Sequence, residues 1–182
     1  YKEKSPVKFV YAEEPQQGLS HARNKGIAVA SGAYLAYIDD ECRITPQWLE
    51  EVIRIIDTEG PDIFGGPYTA VFDSPPPRWV CQSYFQRDFN IKTRQYIDGE
   101  HGFLSGNNMV IKKDAFDIAG TFDPAHGMQG NTPGYAEEII FQEKLYHASP
   151  DALHINSHFH GCSAAQLPRA GLKAHAVPIK PG

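Results

Sequence analysis

Three consecutive carboxylates follow a short apolar run, and their chemistry is the first indication of function. Asp39, Asp40 and Glu41 come directly after Tyr34 to Ile38, which reads YLAYI. Like charges about 4 Å apart repel by about 1 kcal/mol in water and by more when partly desolvated. A divalent cation would stabilise such a cluster, and carboxylate oxygens suit Mg²⁺ or Mn²⁺, which also bind phosphates. The cluster therefore predicts a metal and diphosphate site, with a solvated turn as the alternative.

A second pair of acids, Glu137 and Glu138, stands at the start of a helix predicted over residues 137–147. Carboxylates in a first helical turn are stabilised by the helix dipole by about 0.3–1 kcal/mol, so a capping role would explain the pair. A carboxylate placed there could instead remove the proton from an attacking hydroxyl, as a general base does. The pair taken alone leaves both interpretations open.

Two other segments carry groups that could contact a sugar. Gly106 and Asn108 lie in a Ser-Gly-Asn-Asn segment, where backbone and amide groups could approach a ligand, although the same residues form ordinary turns. Trp79 follows a run of three prolines and could stack on a sugar ring, although such an aromatic more often fills a core. His158 and His160 would share one face of a strand, but no cysteine or acidic ligand pattern accompanies them.

The elements that must position these residues follow from the spacing of apolar side chains. Val7 to Tyr11 predicts a strand, Leu19 to Ala30 a helix, and Tyr34 to Ile38 a strand that is covered on both faces. A further helix is predicted to begin at Pro46, with Thr45 as its N-cap. This alternation predicts an α/β domain with a mostly parallel sheet and helices on both faces. Ligands bind beyond the carboxyl ends of such strands, where the acid cluster lies.

The sequence divides into two parts at about residue 150. Residues 1–150 carry the periodic segments and are expected to form one domain. Residues 151–182 are rich in His, Ala, Gly and Pro, show no sustained periodicity, and are expected to be a loop-like tail.

Composition excludes several classes of protein. The chain has 182 residues, of which 41% are apolar and 21% charged, as expected for a globular domain. A net charge of −5 with scattered acids argues against nucleic-acid partners. Three cysteines far apart, Cys42, Cys81 and Cys162, indicate reduced thiols and a cytoplasmic location. No apolar run approaches the roughly 18 residues of a membrane span, so any membrane association would come from residues outside this sequence.

Taken together, the motifs resemble the family 2 glycosyltransferases over most of residues 9–145. The run GLSHARNKGI at 18–27 and the run ASGAYL at 30–35 are similar to the helix and strand that precede the family's Asp-x-Asp element. The run SGNNM at 105–109 resembles a Gly-x-Asn-Met segment, and GYAEEIIF at 134–141 resembles an acidic pair at a helix start. The resemblance implies a Rossmann-like GT-A fold.

The resemblance also implies roles for individual residues. Glu138 corresponds to the catalytic base, where most members have Asp. Residues implied to contact the nucleotide-sugar donor are Gly18, Arg23, Asn24, Asp39 and Asp40. Residues implied to contact the acceptor are Gly106, Asn108, Trp79 and Glu137. Asp39 and Glu41 are implied to bind Mn²⁺ or Mg²⁺, with Glu41 in place of the usual Asp.

The implied reaction is an inverting, metal-assisted transfer of a sugar from a nucleotide-diphosphate donor to an acceptor hydroxyl. The implied acceptor is a glycan or a lipid-linked acceptor of polysaccharide biosynthesis, at the cytoplasmic face of the membrane. The family pattern begins with a strand, an Asn-bearing loop, a helix and a second strand that have no counterpart here. We therefore expect a domain that is incomplete at its N-terminus, or else a homo-oligomer or rearranged sheet.

Two other functions use the same residues. A non-catalytic nucleotide- or sugar-binding module would bind a nucleoside diphosphate without forming product. A metal-dependent nucleotidyltransferase or phosphohydrolase would release pyrophosphate or phosphate instead of a nucleoside diphosphate.

Overall fold

The computed structural model describes residues 7–40, 42–71, 95–96, 103–127, 134, 136–150, 153–155, 162–165 and 174–179. The helices are α1 (Leu19–Val29), α2 (Trp48–Glu59), α3 (Ala115–Ala119) and α4 (Glu137–Ala148). The strands are β1 (Tyr34–Asp39), β2 (Cys42–Ile44), β3 (Ile63–Gly65), β4 (Tyr68–Val71), β5 (Gln95–Tyr96), β6 (Met109–Lys112), β7 (Leu153–Ile155), β8 (Cys162–Ala165) and β9 (Ala174–Ile179). In the described ranges, no helix is long and apolar enough to span a membrane.

The described strands form a larger sheet in the order β5-β7-β3-β6-β1-β9 and a smaller one in the order β2-β8-β4. In the larger sheet, β6 lies between β1 and β3 and is antiparallel to both. Strands β1 and β3 therefore run in the same direction, and β7 pairs parallel with β3. The unit β1-α2-β3 thus has the strand direction that was predicted, with one antiparallel strand inserted between its two strands.

The mostly parallel sheet expected from the sequence is corrected to a mixed one. Of the five pairings described in the larger sheet, only that of β3 with β7 is parallel. Apolar periodicity identifies a strand, but it carries no information about which strands become neighbours or in which direction they pair. The α/β class and the helices on both faces agree with the prediction.

Among the described residues, the core consists of two apolar clusters, one on each face of the larger sheet. Side chains of β1 alternate between them, so that Leu35 and Tyr37 face one cluster while Tyr34 and Ala36 face the other. Helix α2 covers one face through its buried residues Trp48, Val52 and Ile55. The opposite face is covered by apolar residues of the other helices and of the loop after α3: Ile27, Ala115, Phe116, Ala119, Phe122, Phe141 and Leu145.

Two segments differ from their predicted structure. Residues 7–11 were expected to form a strand but have no regular secondary structure, and Phe9 and Tyr11 are 53% and 78% exposed. A β-prone segment becomes a strand only where a neighbouring strand takes up its backbone hydrogen bonds. Residues 151–182 were expected to be loop-like, whereas β7, β8 and β9 lie there and pair with strands of both sheets. Strands of three to six residues contain too few alternating positions to give a clear periodic signal, and they form because they pair with other strands. The division of the chain at residue 150 stays a prediction.

Gln142 connects α4 to the segment that leads into β6. Its side chain is fully buried. The Leu104 backbone N–H donates to Gln142 Oε1 at 2.8 Å, and Gln142 Nε2 donates to the carbonyl oxygens of Leu104 and Glu138, each at 3.0 Å. The amide thus satisfies the buried backbone donor and the buried backbone acceptor of Leu104.

We expect Gln142→Ala to lower the free energy of unfolding by about 2–4 kcal/mol, because it leaves both backbone groups of Leu104 buried without partners. Urea unfolding followed by circular dichroism measures the loss. The exposed neighbour Glu143 supplies the control, since Glu143→Ala removes a side chain of the same helix that does not contribute to the core. Equal losses in the two variants would contradict the role given to Gln142.

Candidate functional site

Four of the predicted site residues, Asp39, Asp40, Gly106 and Asn108, lie at one edge of the larger sheet because of its strand directions. Tyr37 of β1 and Gly65 of β3 both lie opposite Met109, the first residue of β6. The carboxyl ends of β1 and β3 therefore meet the amino end of β6. Asp39 and Asp40 lie at the end of β1, and residues 105–108 come just before β6, so both groups lie at this edge.

The acid cluster is described only in part. Asp39 is half-buried, Asp40 is exposed, and Glu41 lies outside the described residues. Among the residues that the structure describes, no group of three or more His, Cys, Asp or Glu side chains is arranged to hold a metal ion. The assignment of a cation to Asp39 and Glu41 therefore stays a prediction, and so does the donor contact of Asp40.

One face of α1 holds a distant loop through polar side chains. Ser20, Arg23, Asn24 and Ile27 have the spacing that places residues on one face of a helix. Asn24 Nδ2 donates to the carbonyl oxygen of Phe122 at 2.7 Å, and the Phe122 N–H donates to Asn24 Oδ1 at 3.0 Å. Ser20 Oγ lies 3.1 Å and 3.2 Å from the carbonyl oxygens of Asp123 and His126. Asn24, implied to contact the donor, thus has both amide atoms bonded to the protein backbone.

Arg23 lies in the interior and forms an ion pair with the start of α4. Its Nη1 donates to Glu137 Oε1 at 2.6 Å and lies 3.8 Å from Glu138 Oε2. The side chains of Arg23 and Glu137 are only 3% and 4% exposed, whereas that of Glu138 is 23% exposed. The structure therefore places Arg23, implied to contact the donor, and Glu137, implied to contact the acceptor, in a buried ion pair.

Aromatic rings and glycines enclose this ion pair. The Arg23 guanidinium lies 5.3 Å from the ring centroid of Phe122 and 6.0 Å from that of Tyr37. Gly106 packs against the guanidinium so closely that a Cβ there would collide with Nη2. Gly127, with φ +86°, lies against Glu137, whose Oε2 would be 2.7 Å from an added Cβ. Gly106, implied to contact the acceptor, therefore also makes the room that Arg23 occupies.

Glu138 is the more accessible acid of the pair, and burial raises its pKa above that of an ordinary glutamate. The negative charge of Glu137 raises the pKa further, while the nearby Arg23 guanidinium lowers it. A carboxylate whose pKa is raised in this way suits proton exchange closer to neutral pH. The role of Glu138 as the catalytic base stays a prediction.

The other predicted site residues have different surroundings. Asn108 is 1% exposed, and its Oδ1 accepts a hydrogen bond from Trp48 Nε1 at 3.0 Å. Its amide nitrogen lies 3.4 Å from the carbonyl oxygen of Gly66, so Asn108 joins β6 to α2 and to the segment after β3. Gly18 is the residue before α1 and has φ 144°, which favours glycine. Trp79 lies outside the described residues.

Sequence reasoning missed the roles of Ser20 and Gln142. The signal for Ser20 was present, because Ser20 shares the helical face of Arg23 and Asn24 in a helix that was predicted. Gln142 follows the buried Phe141 in a helix whose inward face was predicted only from apolar residues. Its partner Leu104 is 38 positions away, so no local pattern marks it as buried.

We expect Gly106→Ala to displace the Arg23 guanidinium and to lower the free energy of unfolding by about 1–3 kcal/mol, because an added methyl overpacks a buried site. Thermal and urea unfolding measure the change. Ser105→Ala is the matched control, since it alters the preceding residue while keeping the Ser105 carbonyl that accepts from the Asn108 N–H. If Gly106→Ala is as stable as the control, the added methyl does not clash with the Arg23 guanidinium and the prediction is wrong.

Comparison of sequences shows similarity to known glycosyltransferases. The family model described as "Glycosyl transferase family 2" matches residues 1–118. The chain is 29% identical over 121 residues to glycosyltransferase AglE of Haloferax volcanii, covering 66% of this chain and 38% of that protein. It is 26% identical over 115 residues to the succinoglycan biosynthesis protein ExoM of Rhizobium meliloti, covering 63% and 36% of the two chains.

A third relative and a solved structure extend the comparison. The glucosyl-dolichyl phosphate glucuronosyltransferase of Haloferax volcanii is 26% identical over 145 residues, which are 75% of this chain and 44% of that protein. The crystal structure of S. aureus TarS 1–349 in complex with UDP-GlcNAc matches with a TM-score of 0.55 at 16% identity, covering 88% of this chain and 42% of TarS. This likeness confirms the GT-A fold. The chain spans 36–44% of the length of the three sequence relatives.

Proposed function

The chain belongs to glycosyl transferase family 2, and we propose that it carries the catalytic residues of an inverting glycosyltransferase. In this proposal the enzyme moves a sugar from a nucleotide-diphosphate donor to an acceptor hydroxyl. One observation carries the proposal: the half-buried carboxylate of Glu138 has a raised pKa and lies 3.8 Å from Arg23, whose guanidinium packs against Gly106 in the turn before β6.

Glu138 acts as the general base. Its carboxylate removes the proton from the acceptor hydroxyl as that oxygen attacks the anomeric carbon of the donor sugar. The new bond to the acceptor oxygen forms while the bond to the diphosphate breaks on the opposite side, so the configuration at that carbon inverts. The proton ends on Glu138, and the bonding electrons leave with the nucleoside diphosphate.

Asp39 and Glu41 are the residues that would hold the cation, and Asp40 contacts the donor. Carboxylate oxygens at the end of a strand suit Mg²⁺ or Mn²⁺, and one or two of them suffice when phosphates supply the other ligands. The cation, when bound, supplies positive charge that stabilises the departing diphosphate. Support for a donor of this class comes from TarS, whose structure contains UDP-GlcNAc.

The acceptor is proposed to be a glycan or a lipid-linked molecule. ExoM is named for succinoglycan biosynthesis, and another relative is named for transfer onto a dolichyl phosphate sugar. We extend these acceptor classes to this chain, together with a role in polysaccharide biosynthesis at the cytoplasmic face of the membrane. The scattered cysteines are consistent with that reducing compartment.

Glu138→Gln tests the role of the base in the full-length protein. We expect transfer to fall by about 10²–10⁴-fold, because the glutamine cannot accept the proton. Binding of the nucleotide-sugar, measured by isothermal titration calorimetry, is expected to be unchanged. Glu143→Gln is the control, since it removes an exposed acid from the same helix. Undiminished transfer by Glu138→Gln would rule out this base.

The same assay separates the alternative functions. Binding of a nucleoside diphosphate by the wild-type protein without release of product from any nucleotide-sugar tested would favour a non-catalytic binding module. Release of pyrophosphate or phosphate would favour a nucleotidyltransferase or phosphohydrolase. Both outcomes would reject glycosyl transfer.

Removal of divalent cations tests the metal assignment. We expect UDP to bind more weakly in EDTA than in MnCl₂ when titrated by calorimetry, because a cation held by Asp39 and Glu41 would supply positive charge that attracts the phosphates. Asp39→Asn should reduce the difference between the two conditions. Asp57→Asn is the control, since Asp57 is an exposed acid on α2 outside the predicted site. Identical affinities with and without the cation would contradict the assignment.

A further inference from the structure

We propose that Arg23 is a positioning residue for the catalytic base: its ion pair with Glu137 orients the start of α4 and leaves Glu138 as the carboxylate that exchanges protons. The inference rests on the proposed role of Glu138. It replaces the donor contact implied for Arg23 by a contact within the protein.

The distances from Arg23 indicate different roles for Glu137 and Glu138. Arg23 Nη1 is 2.6 Å from Glu137 Oε1 but 3.8 Å from Glu138 Oε2, so Glu137 is its hydrogen-bonded partner. The Glu137 side chain is 4% exposed and that of Glu138 is 23% exposed. Glu137 is therefore closed to a substrate, whereas Glu138 retains an open side through which a hydroxyl can approach.

Because Glu137 and Glu138 are adjacent on α4, fixing the direction of one side chain also fixes that of the other. Adjacent residues of an α-helix point about 100° apart. A Glu137 carboxylate that is held against Arg23 therefore determines the direction in which Glu138 leaves α4. Gln142 holds the same helical turn by donating to the Glu138 carbonyl oxygen at 3.0 Å, so both the side chain before Glu138 and its own backbone are restrained.

The surroundings of Arg23 prevent it from leaving this position. Phe122, Tyr37 and Gly106 enclose its guanidinium. Separating a buried ion pair leaves uncompensated charges, which costs far more than breaking a surface pair. With a side-chain exposure of 3%, Arg23 has no surface to offer a nucleotide-sugar.

The three charges also determine the proton affinity of Glu138. Two charged groups in the described residues act on it, Glu137 from its own helix and Arg23 from α1. Glu137 raises the pKa of Glu138 and Arg23 lowers it. The two substitutions should therefore shift the pKa of Glu138 in opposite directions. Glu137→Gln should lower it, because Arg23 is then free to pair with Glu138, and Arg23→Met should raise it.

A direct titration of Glu138 in the full-length protein tests the role of Arg23. Glutamate is labelled with ¹³C at the side-chain carboxyl, and the Glu138 signal is assigned by its loss in Glu138→Gln. We expect Glu137→Gln to lower the Glu138 pKa by about one unit and Arg23→Met to raise it by a similar amount, as is typical for a charge at this distance. Arg23→Lys keeps the positive charge and should give a value between those of the wild type and Arg23→Met.

Activity supplies an independent readout of the same variants. A base works in its deprotonated form, so kcat/KM falls as the pH drops through the pKa of Glu138. The acid limb of the pH profile should move to lower pH in Glu137→Gln and to higher pH in Arg23→Met, with donor affinity unchanged. A role in folding alone would lower stability without moving the limb in opposite directions.

The outcomes distinguish this inference from the proposed function. Loss of transfer in Glu138→Gln together with an unmoved Glu138 titration in the other variants would overturn the role of Arg23 and leave the base in place. Opposite shifts of the titration together with full transfer by Glu138→Gln would support the charge arrangement and reject the base. If Arg23→Met fails to fold, Glu137→Gln and Arg23→Lys still decide, since an unmoved titration in both overturns the inference.

Discussion

The buried ion pair between Arg23 and Glu137 is the contact on which the rest of the site depends. It joins α1 to α4 across 114 positions of sequence. Because both charges are desolvated, each stabilises the fold only while the other is present at hydrogen-bonding distance. The close approach of Gly106 and Gly127 follows from this requirement, since a side chain at either position would meet the guanidinium or its partner carboxylate.

The run at 18–27, which resembles the family's helix motif, therefore contributes mainly to the fold. Ser20 and Asn24 hold residues 122–126 against α1, and Arg23 holds α4, so one helical face organises two distant segments. Asn108 similarly joins β6 to Trp48 of α2. These polar side chains restrain the backbone around the sheet edge, which leaves Glu138, Asp39 and Asp40 as the more accessible acids there.

The antiparallel insertion of β6 explains why those groups meet. If β6 ran parallel to β1, the Gly106 turn would lie at the opposite edge of the sheet, far from Asp39. In the observed direction the turn precedes β6 beside the carboxyl ends of β1 and β3, and Gly106 reaches Arg23. The raised pKa of Glu138 arises at the same place, because burial and Glu137 both disfavour its charged form there.

The sequence by itself determined the local elements and the identity of the chemical groups. Residues 19–29, 34–39 and 137–148 form the helices and the strand that were predicted almost to their ends, since apolar spacing records which side of an element is buried. The tertiary structure alone decided that β6 lies between β1 and β3, that residues 7–11 form no strand, and that Arg23 pairs with Glu137. These contacts join residues far apart in the chain, and their energies depend on neighbours and desolvation that no local pattern encodes.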